Sequence, residues 1–103
     1  MKLEYENIFE AIIDDKSEAS EYETRSDLML VLRDIINAKG WEQKEAAKQL
    51  SLTQPRVSDL VNGRIEKFSI DKLMNCLYKI GYRFKPLFKN DKLTMTVQYV
   101  KVA

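Results

Sequence analysis

The sequence has no histidine and a single cysteine, Cys76. The side chain that most readily exchanges protons near neutrality and most often ligates metals is therefore missing. A lone cysteine can close no internal disulfide. On a mostly apolar segment, Cys76 reads more simply as a small packed residue than as a nucleophile or ligand. No glycine-rich phosphate loop occurs, and only three glycines and two prolines punctuate 103 residues, so neither a nucleotide-binding turn nor a flexible linker is expected. Apolar runs are short ones such as Leu28–Leu32, far below the roughly 20 residues of a membrane span. The opening residues MKLEYENIFEAIIDD are acidic and lack the apolar core of a signal peptide. These absences argue against an enzyme, a metal centre, a cofactor and a membrane. Asp14–Asp15 reads as an acidic pair ending a helix rather than a metal site. One cytoplasmic domain, residues 1–103, is the expectation.

The overall charge is +1, but its distribution is uneven. Residues 1–35 carry ten acids and four bases, a net of −6, and the remainder carries thirteen bases and six acids, a net of +7. Two surfaces with different partners would explain that asymmetry, as would a solvated acidic helix beside a mildly basic domain.

Along the chain, NIFEAIID (6–13) places Ile8, Phe9, Ile12 and Ile13 at helical spacing before Asp14–Asp15–Lys16–Ser17 interrupts it. A second helix is expected from about Ser17 to Lys39. Its apolar side is Tyr22, Met29, Leu32, Ile35 and Ile36, its wet side Glu18, Glu21, Glu23 and Arg25. Gly40 suits its C-terminal cap, and Trp41 reads as a core anchor. QKEAAKQL (43–50) predicts a short helix with Ala46, Ala47 and Leu50 inward. After the turn Ser51–Leu52–Thr53, Thr53 can cap a helix that tolerates Pro55 in its first turn and ends at Gly63. Ser69 caps the next helix, with Phe68 and Leu73 placed as a staple across it. Ile70, Leu73, Met74, Leu77 and Tyr78 supply its buried face, and Gly81 ends it. The period then becomes alternating, with Tyr82, Phe84 and Phe88 between Arg83, Lys85 and Lys89, and again through LTMTVQYVKV. Asn90–Asp91 reads as the hairpin turn. Strand packing explains these aromatics more simply than base stacking.

Two helices joined by a three- or four-residue turn, the first rich in alanine, form a helix-turn-helix unit whose second helix enters the major groove of DNA. Burial of Val57, Leu60 and Val61 turns Gln54, Arg56, Ser58 and Asp59 outward. Arg suits guanine, Gln adenine, Asp the cytosine amino group, and Ser adapts to several bases. Gln43, Thr53, Pro55, Asn62, Arg64 and Lys67 surround that face as candidates for phosphate contact and positioning.

Residues 43–63, QKEAAKQLSLTQPRVSDLVNG, resemble the helix-turn-helix of the lambda-repressor-like XRE family. The wider stretch over roughly residues 6–85 resembles its small HigA-like antitoxins. The resemblance implies a mainly α, lambda-repressor-like bundle (25–81) with an acidic N-terminal helical extension (1–24) and a C-terminal β-hairpin (82–103). It also implies a dimeric, bacterial or phage-encoded type II antitoxin that binds double-stranded DNA, represses its operon and neutralises a RelE/HigB-like toxin. Gln43 and Gln54 stand where that family commonly contacts DNA. Two positions depart from the pattern. Ser51 occupies the usual turn glycine, and Glu42 the usual Thr or Ser cap, although Glu45 keeps the capping-box acid position. A stand-alone phage-type XRE repressor and a protein-binding module share the same fold and remain the alternatives.

Two further surfaces are expected. Leu93, Met95, Val97 and Tyr99 make an apolar stripe that calls for packing on the helices and pairing with a second copy in a homodimer, because a lone hairpin is marginal in water. Pro86 favours an edge or bulge in the first strand, leaving the second as the pairing strand. Near DNA phosphates the acidic segment would be repelled. Phe9, Glu10, Ile13, Asp14, Asp15, Glu18, Glu21 and Glu23 are therefore candidate toxin contacts, unless Phe9 and Ile13 only dock the first helix.

Overall fold

The computed structural model describes residues 16–101. The expected helix over residues 6–13 and the candidate contacts Phe9, Glu10, Ile13, Asp14 and Asp15 lie outside those residues. The described chain is mostly helical. Four helices, α1 (Lys16–Lys39), α2 (Gln43–Leu50), α3 (Gln54–Val61) and α4 (Ile70–Lys79), are followed by strands β1 (Tyr82–Lys89) and β2 (Lys92–Tyr99). A short 3-10 turn at Ile65–Lys67, not foreseen from the sequence, connects α3 to α4. Helix α1 runs unbroken from Lys16 through residue 24 into the bundle, so residues 16–24 belong to the same helix as the bundle's first helical segment.

The helices end where the residue chemistry requires. After α1 the chain closes with Trp41 N–H donating to the Ile36 carbonyl and Gly40 N–H to Asn37, both at 3.1 Å. The same paired closure follows α2 (Leu52 to Ala47, Ser51 to Lys48) and α3 (Arg64 to Asp59, Gly63 to Leu60). Each of these Schellman closures needs one left-handed residue: Gly40 at φ 67°, Ser51 at φ 57° and Gly63 at φ 71°. Ser51 is the residue there with a Cβ, and it is exposed. Left-handed backbone costs a non-glycine residue about 1–2 kcal/mol, partly offset by the extra unfolded-state entropy of glycine. Ser51→Gly is therefore expected to stabilise the fold by about 0.5–1 kcal/mol, read as a higher urea midpoint at unchanged m-value.

The core is a single cluster in which Leu32, Leu50, Val57, Leu60, Leu73 and Cys76 are almost fully enclosed. Ala46 and Ala47 are buried as expected, which lets α2 and α3 approach closely. Phe68 and Leu73 are buried on either side of Ser69, whose Oγ accepts the Lys72 N–H at 3.1 Å. Trp41 packs half-buried against the cluster.

Four expectations need correction. On α4, Cys76 rather than Tyr78 faces the core: Tyr78 is 46% exposed and meets Phe84 edge-on at 6.1 Å. Burial pushes the Cys76 thiol up, against the opposing field of Lys72, which suits an unreactive packed residue. Arg25 is not on the wet side of α1. Its guanidinium pairs with Glu21, lies 5.6 Å above the Tyr22 ring and donates to the Ile65 carbonyl at 3.4 Å. Glu45 makes no capping box, because it accepts a hydrogen bond from Gln49 at 2.7 Å. Finally, Pro86 causes no bulge and pairs with Met95 in a regular antiparallel ladder from Tyr82↔Tyr99 to Lys89↔Lys92.

That ladder explains how the proline is tolerated. The two turn residues, Asn90 and Asp91, both have positive φ (52° and 61°), as a two-residue primed turn requires. Counting from its hydrogen-bonded closing pair, Pro86 and Met95 form a non-hydrogen-bonded pair, so the missing N–H of Pro86 faces away from β2. The hairpin packs on the helices at its base, where Tyr82 and Phe84 are half-buried. The β2 stripe Leu93, Met95, Val97 and Tyr99 stays 55–72% exposed along its whole length, including Val97 and Tyr99 opposite Phe84 and Tyr82 at the base.

Candidate nucleic-acid interface

Helix α3 is held as a unit. Thr53 Oγ1 accepts the Arg56 N–H at 3.3 Å, satisfying a free amide of the first turn, and Pro55 needs no partner there. Val57 and Leu60 anchor the helix in the core, and Val61 is half-buried at its end. Arg33 on α1 donates to the Val61 carbonyl at 3.3 Å, while Arg25 grips the Ile65 carbonyl of the following turn. Two α1 arginines thus fix the far end of α3 and the segment after it. Neither was singled out in the sequence as an anchor, because their acceptors are backbone groups 28 and 40 residues away.

The candidate base-reading side chains divide into two kinds. Gln54 and Arg56 are exposed at the N-terminal turn, whereas Ser58 and Asp59 are half-buried. Ser58 Oγ accepts a hydrogen bond from Asn62 Nδ2 at 3.2 Å. Asp59 is the hub of an arginine pair: its Oδ2 lies 3.2 Å from Arg56 Nη1 and its Oδ1 3.5 Å from Arg64 Nε. A carboxylate between two guanidiniums cancels part of the positive potential of this face and holds Arg56 in a defined pose.

Beside α3 lies an open cleft of about 530 Å³ lined by the cations Arg25, Arg56, Lys67 and Lys72, the acids Glu21 and Glu66, and Phe68 and Ser69. Lys67 and Arg56 were expected on this side. Lys72 was not, though its place in the first turn of α4 next to the Ser69 cap puts it where free amides and a cation can serve an anion together. Gln43, at the start of α2, is exposed, and Thr53, Pro55, Asn62 and Arg64 are exposed around α3. Glu18, exposed, and Glu21, half-buried and paired with Arg25, are on α1.

A capped, proline-opened helix, packed across an alanine-rich partner and ringed by exposed polar and basic side chains, is the geometry of a groove-reading unit. The family model that matches this chain, over residues 11–85, is described as a helix-turn-helix domain. The chain belongs to that family. No curated protein matches it. Helix-turn-helix domains are a DNA-binding class that is typically non-enzymatic, and α2 and α3 are the two helices of that unit here. No helix among its described residues is long and apolar enough to cross a membrane.

Proposed function

We propose that this helix-turn-helix protein is the cytoplasmic antitoxin of a type II toxin–antitoxin pair, repressing its own operon as a homodimer on a palindromic site. Gln54 and Arg56 read bases, Ser58 and Asp59 shape that reading, and Gln43, Thr53, Pro55, Asn62, Arg64 and Lys67 set the register on the phosphates. The observation that carries the DNA half is the exposure of Gln54 and Arg56 on a helix whose opposite face is locked by Val57 and Leu60. Two copies related by a two-fold axis place their recognition helices about 34 Å apart, one turn of duplex.

Replacing Gln54 or Arg56 with alanine is expected to cost about 1–3 kcal/mol on the cognate operator and to relax preference at single base pairs. Arg64→Ala and Lys67→Ala should weaken cognate and random duplexes alike and lower the salt dependence by about one phosphate contact each. Electrophoretic titrations on both duplexes at several salt concentrations check this. Equal losses on both duplexes for all four variants would overturn the division of roles.

The toxin half rests on the net −6 of residues 1–35 and on the resemblance to HigA-like antitoxins. An RNA-cleaving toxin offers a basic surface to its substrate, and an acidic segment attracts such a surface and speeds encounter. Phe9 and Ile13 supply apolar anchors, and Glu10, Asp14, Asp15, Glu18, Glu21 and Glu23 the charge. Deleting residues 1–16 is expected to leave operator binding intact and to abolish rescue of growth when the neighbouring toxin gene is co-expressed. Full rescue would remove this segment as the neutralising surface, and the lack of any toxin gene beside this one would favour a stand-alone repressor.

A further inference from the structure

The two strands of the hairpin are built differently. β1 carries Arg83, Lys85 and Lys89 and is interrupted by Pro86, whose missing N–H faces outward. Cations and proline are the devices that keep a sheet edge from pairing. β2 has neither. Past the turn-flanking Lys92, its polar face is Thr94, Thr96 and Gln98, and its other face is Leu93, Met95, Val97 and Tyr99. The backbone groups of those four apolar residues point away from β1, because they stand in the non-hydrogen-bonded pairs of the hairpin. β2 therefore has the composition of an interior strand, with an unpaired edge.

We infer that β2 pairs antiparallel with β2 of a second copy, centred on Thr96, to make one four-stranded sheet. This deepens the homodimer reading above and rests on it. A shift by one residue would set the apolar stripe of one copy against the polar face of the other, and a shift by two would leave an end of the stripe without an apolar partner, so the register centred on Thr96 is the one that pairs all four apolar residues. With Thr96 opposite its own copy, Leu93 faces the partner's Tyr99 and Met95 the partner's Val97. On the polar side Thr94 meets the partner's Gln98, so no like charges confront each other across the seam. Arg83, Lys85 and Lys89 stay on the outer β1 strands, while Lys92 and Lys101 flank the apolar run of β2 at its two ends.

The apolar face needs this cover. Phe88, Leu93, Met95, Val97 and Tyr99 are each more than half exposed. Together with Val31, itself 45% exposed, they make a run of large exposed apolar side chains of the kind that marks an interaction surface rather than the bare face of a monomer. Antiparallel pairing carries the tip of each hairpin, Phe88 and Leu93, toward the base of the other. There an open apolar groove of about 300 Å³ lies between Leu28, Val31 and Ile35 of α1 and Phe84 and Val97 of the hairpin. Each groove receives the other copy's tip, so both surfaces close by one symmetric contact.

The test uses the full chain with Thr96→Cys. Facing non-hydrogen-bonded residues stand about 4.5 Å apart at Cα, within disulfide reach, and the native Cys76 is buried. Mild air oxidation is expected to give a dimer covalently joined through position 96, and Lys85→Cys on the outer strand none. Val97→Lys, a change on an exposed position, should raise the dimer dissociation constant by about 100-fold in sedimentation while leaving the circular-dichroism melt cooperative. A dimeric wild-type chain whose Thr96→Cys variant does not cross-link and whose assembly is unchanged by Val97→Lys would overturn this interface and leave the dimeric reading standing. A wild-type chain that sediments as a monomer at micromolar concentration would overturn both.

Discussion

Leu60→Ala is expected to lower stability by about 3 kcal/mol and the melting temperature by about 12–20 °C, with operator binding nearly kept at about 25 °C and lost on warming as the fold melts rather than through a lost contact. Leu60 is 1% exposed, sits in the last turn of α3 and shares the core cluster with Leu32, Leu50 and Leu73. Truncation removes the isopropyl end of the side chain and leaves a void that the rigid crossing of α2, already tightened by Ala46 and Ala47, cannot close. The size of the effect matters because a domain of this length has roughly 5–15 kcal/mol in total. Val61→Ala, one residue on and half-buried, should cost under about 1 kcal/mol. Calorimetry of the two variants decides the matter. Similar losses for both would mean that α3 rotates about its axis relative to the packing described, and with it the set of side chains turned toward DNA.

The helix-turn-helix was legible because most boundaries carry a residue whose chemistry suits them, the ends of α2 at Glu42 and Ser51 excepted. Thr53 and Ser69 offer oxygens to first-turn amides, Gly40 and Gly63 accept positive φ, and Ala46–Ala47 leave room for a crossing. The Asn90–Asp91 turn was legible for the same reason. What escaped the sequence depends on distant partners. Arg25 looked solvated by spacing alone, yet its acceptor is the carbonyl of Ile65, exposed for bonding only because the chain forms a 3-10 turn there. Cys76 is packed, as a lone small thiol on an apolar segment suggests, but Tyr78 was placed inward by helical spacing alone and stays 46% exposed. Tyr78 goes instead to the hairpin base, against Phe84.

The charge arrangement on α3 was the least predictable part, and it bears most directly on function. Asp59 matched cytosine as an isolated residue type, but its carboxylate already holds Arg56 and Arg64. A surface pair of this kind adds at most about 1 kcal/mol to stability. Its larger effect falls on the DNA face, where it places a negative charge among the phosphates and restrains the arginine best suited to guanine. Asp59→Ala is therefore expected to strengthen binding to random duplex by about tenfold and to steepen the salt dependence by about one contact, as one or both arginines turn to phosphate. Cognate binding should gain little or nothing, because Arg56 loses the partner that aims it at a base edge, and the ratio of cognate to random affinity should fall by up to about tenfold. Asp59→Asn, which keeps the shape and a hydrogen-bond acceptor, should give the same sign with a smaller change. Titrations of cognate and random duplexes at about 50 and about 200 mM salt separate the cases. A variant that loses cognate affinity with no gain on random DNA would mean that Asp59 reads a base itself.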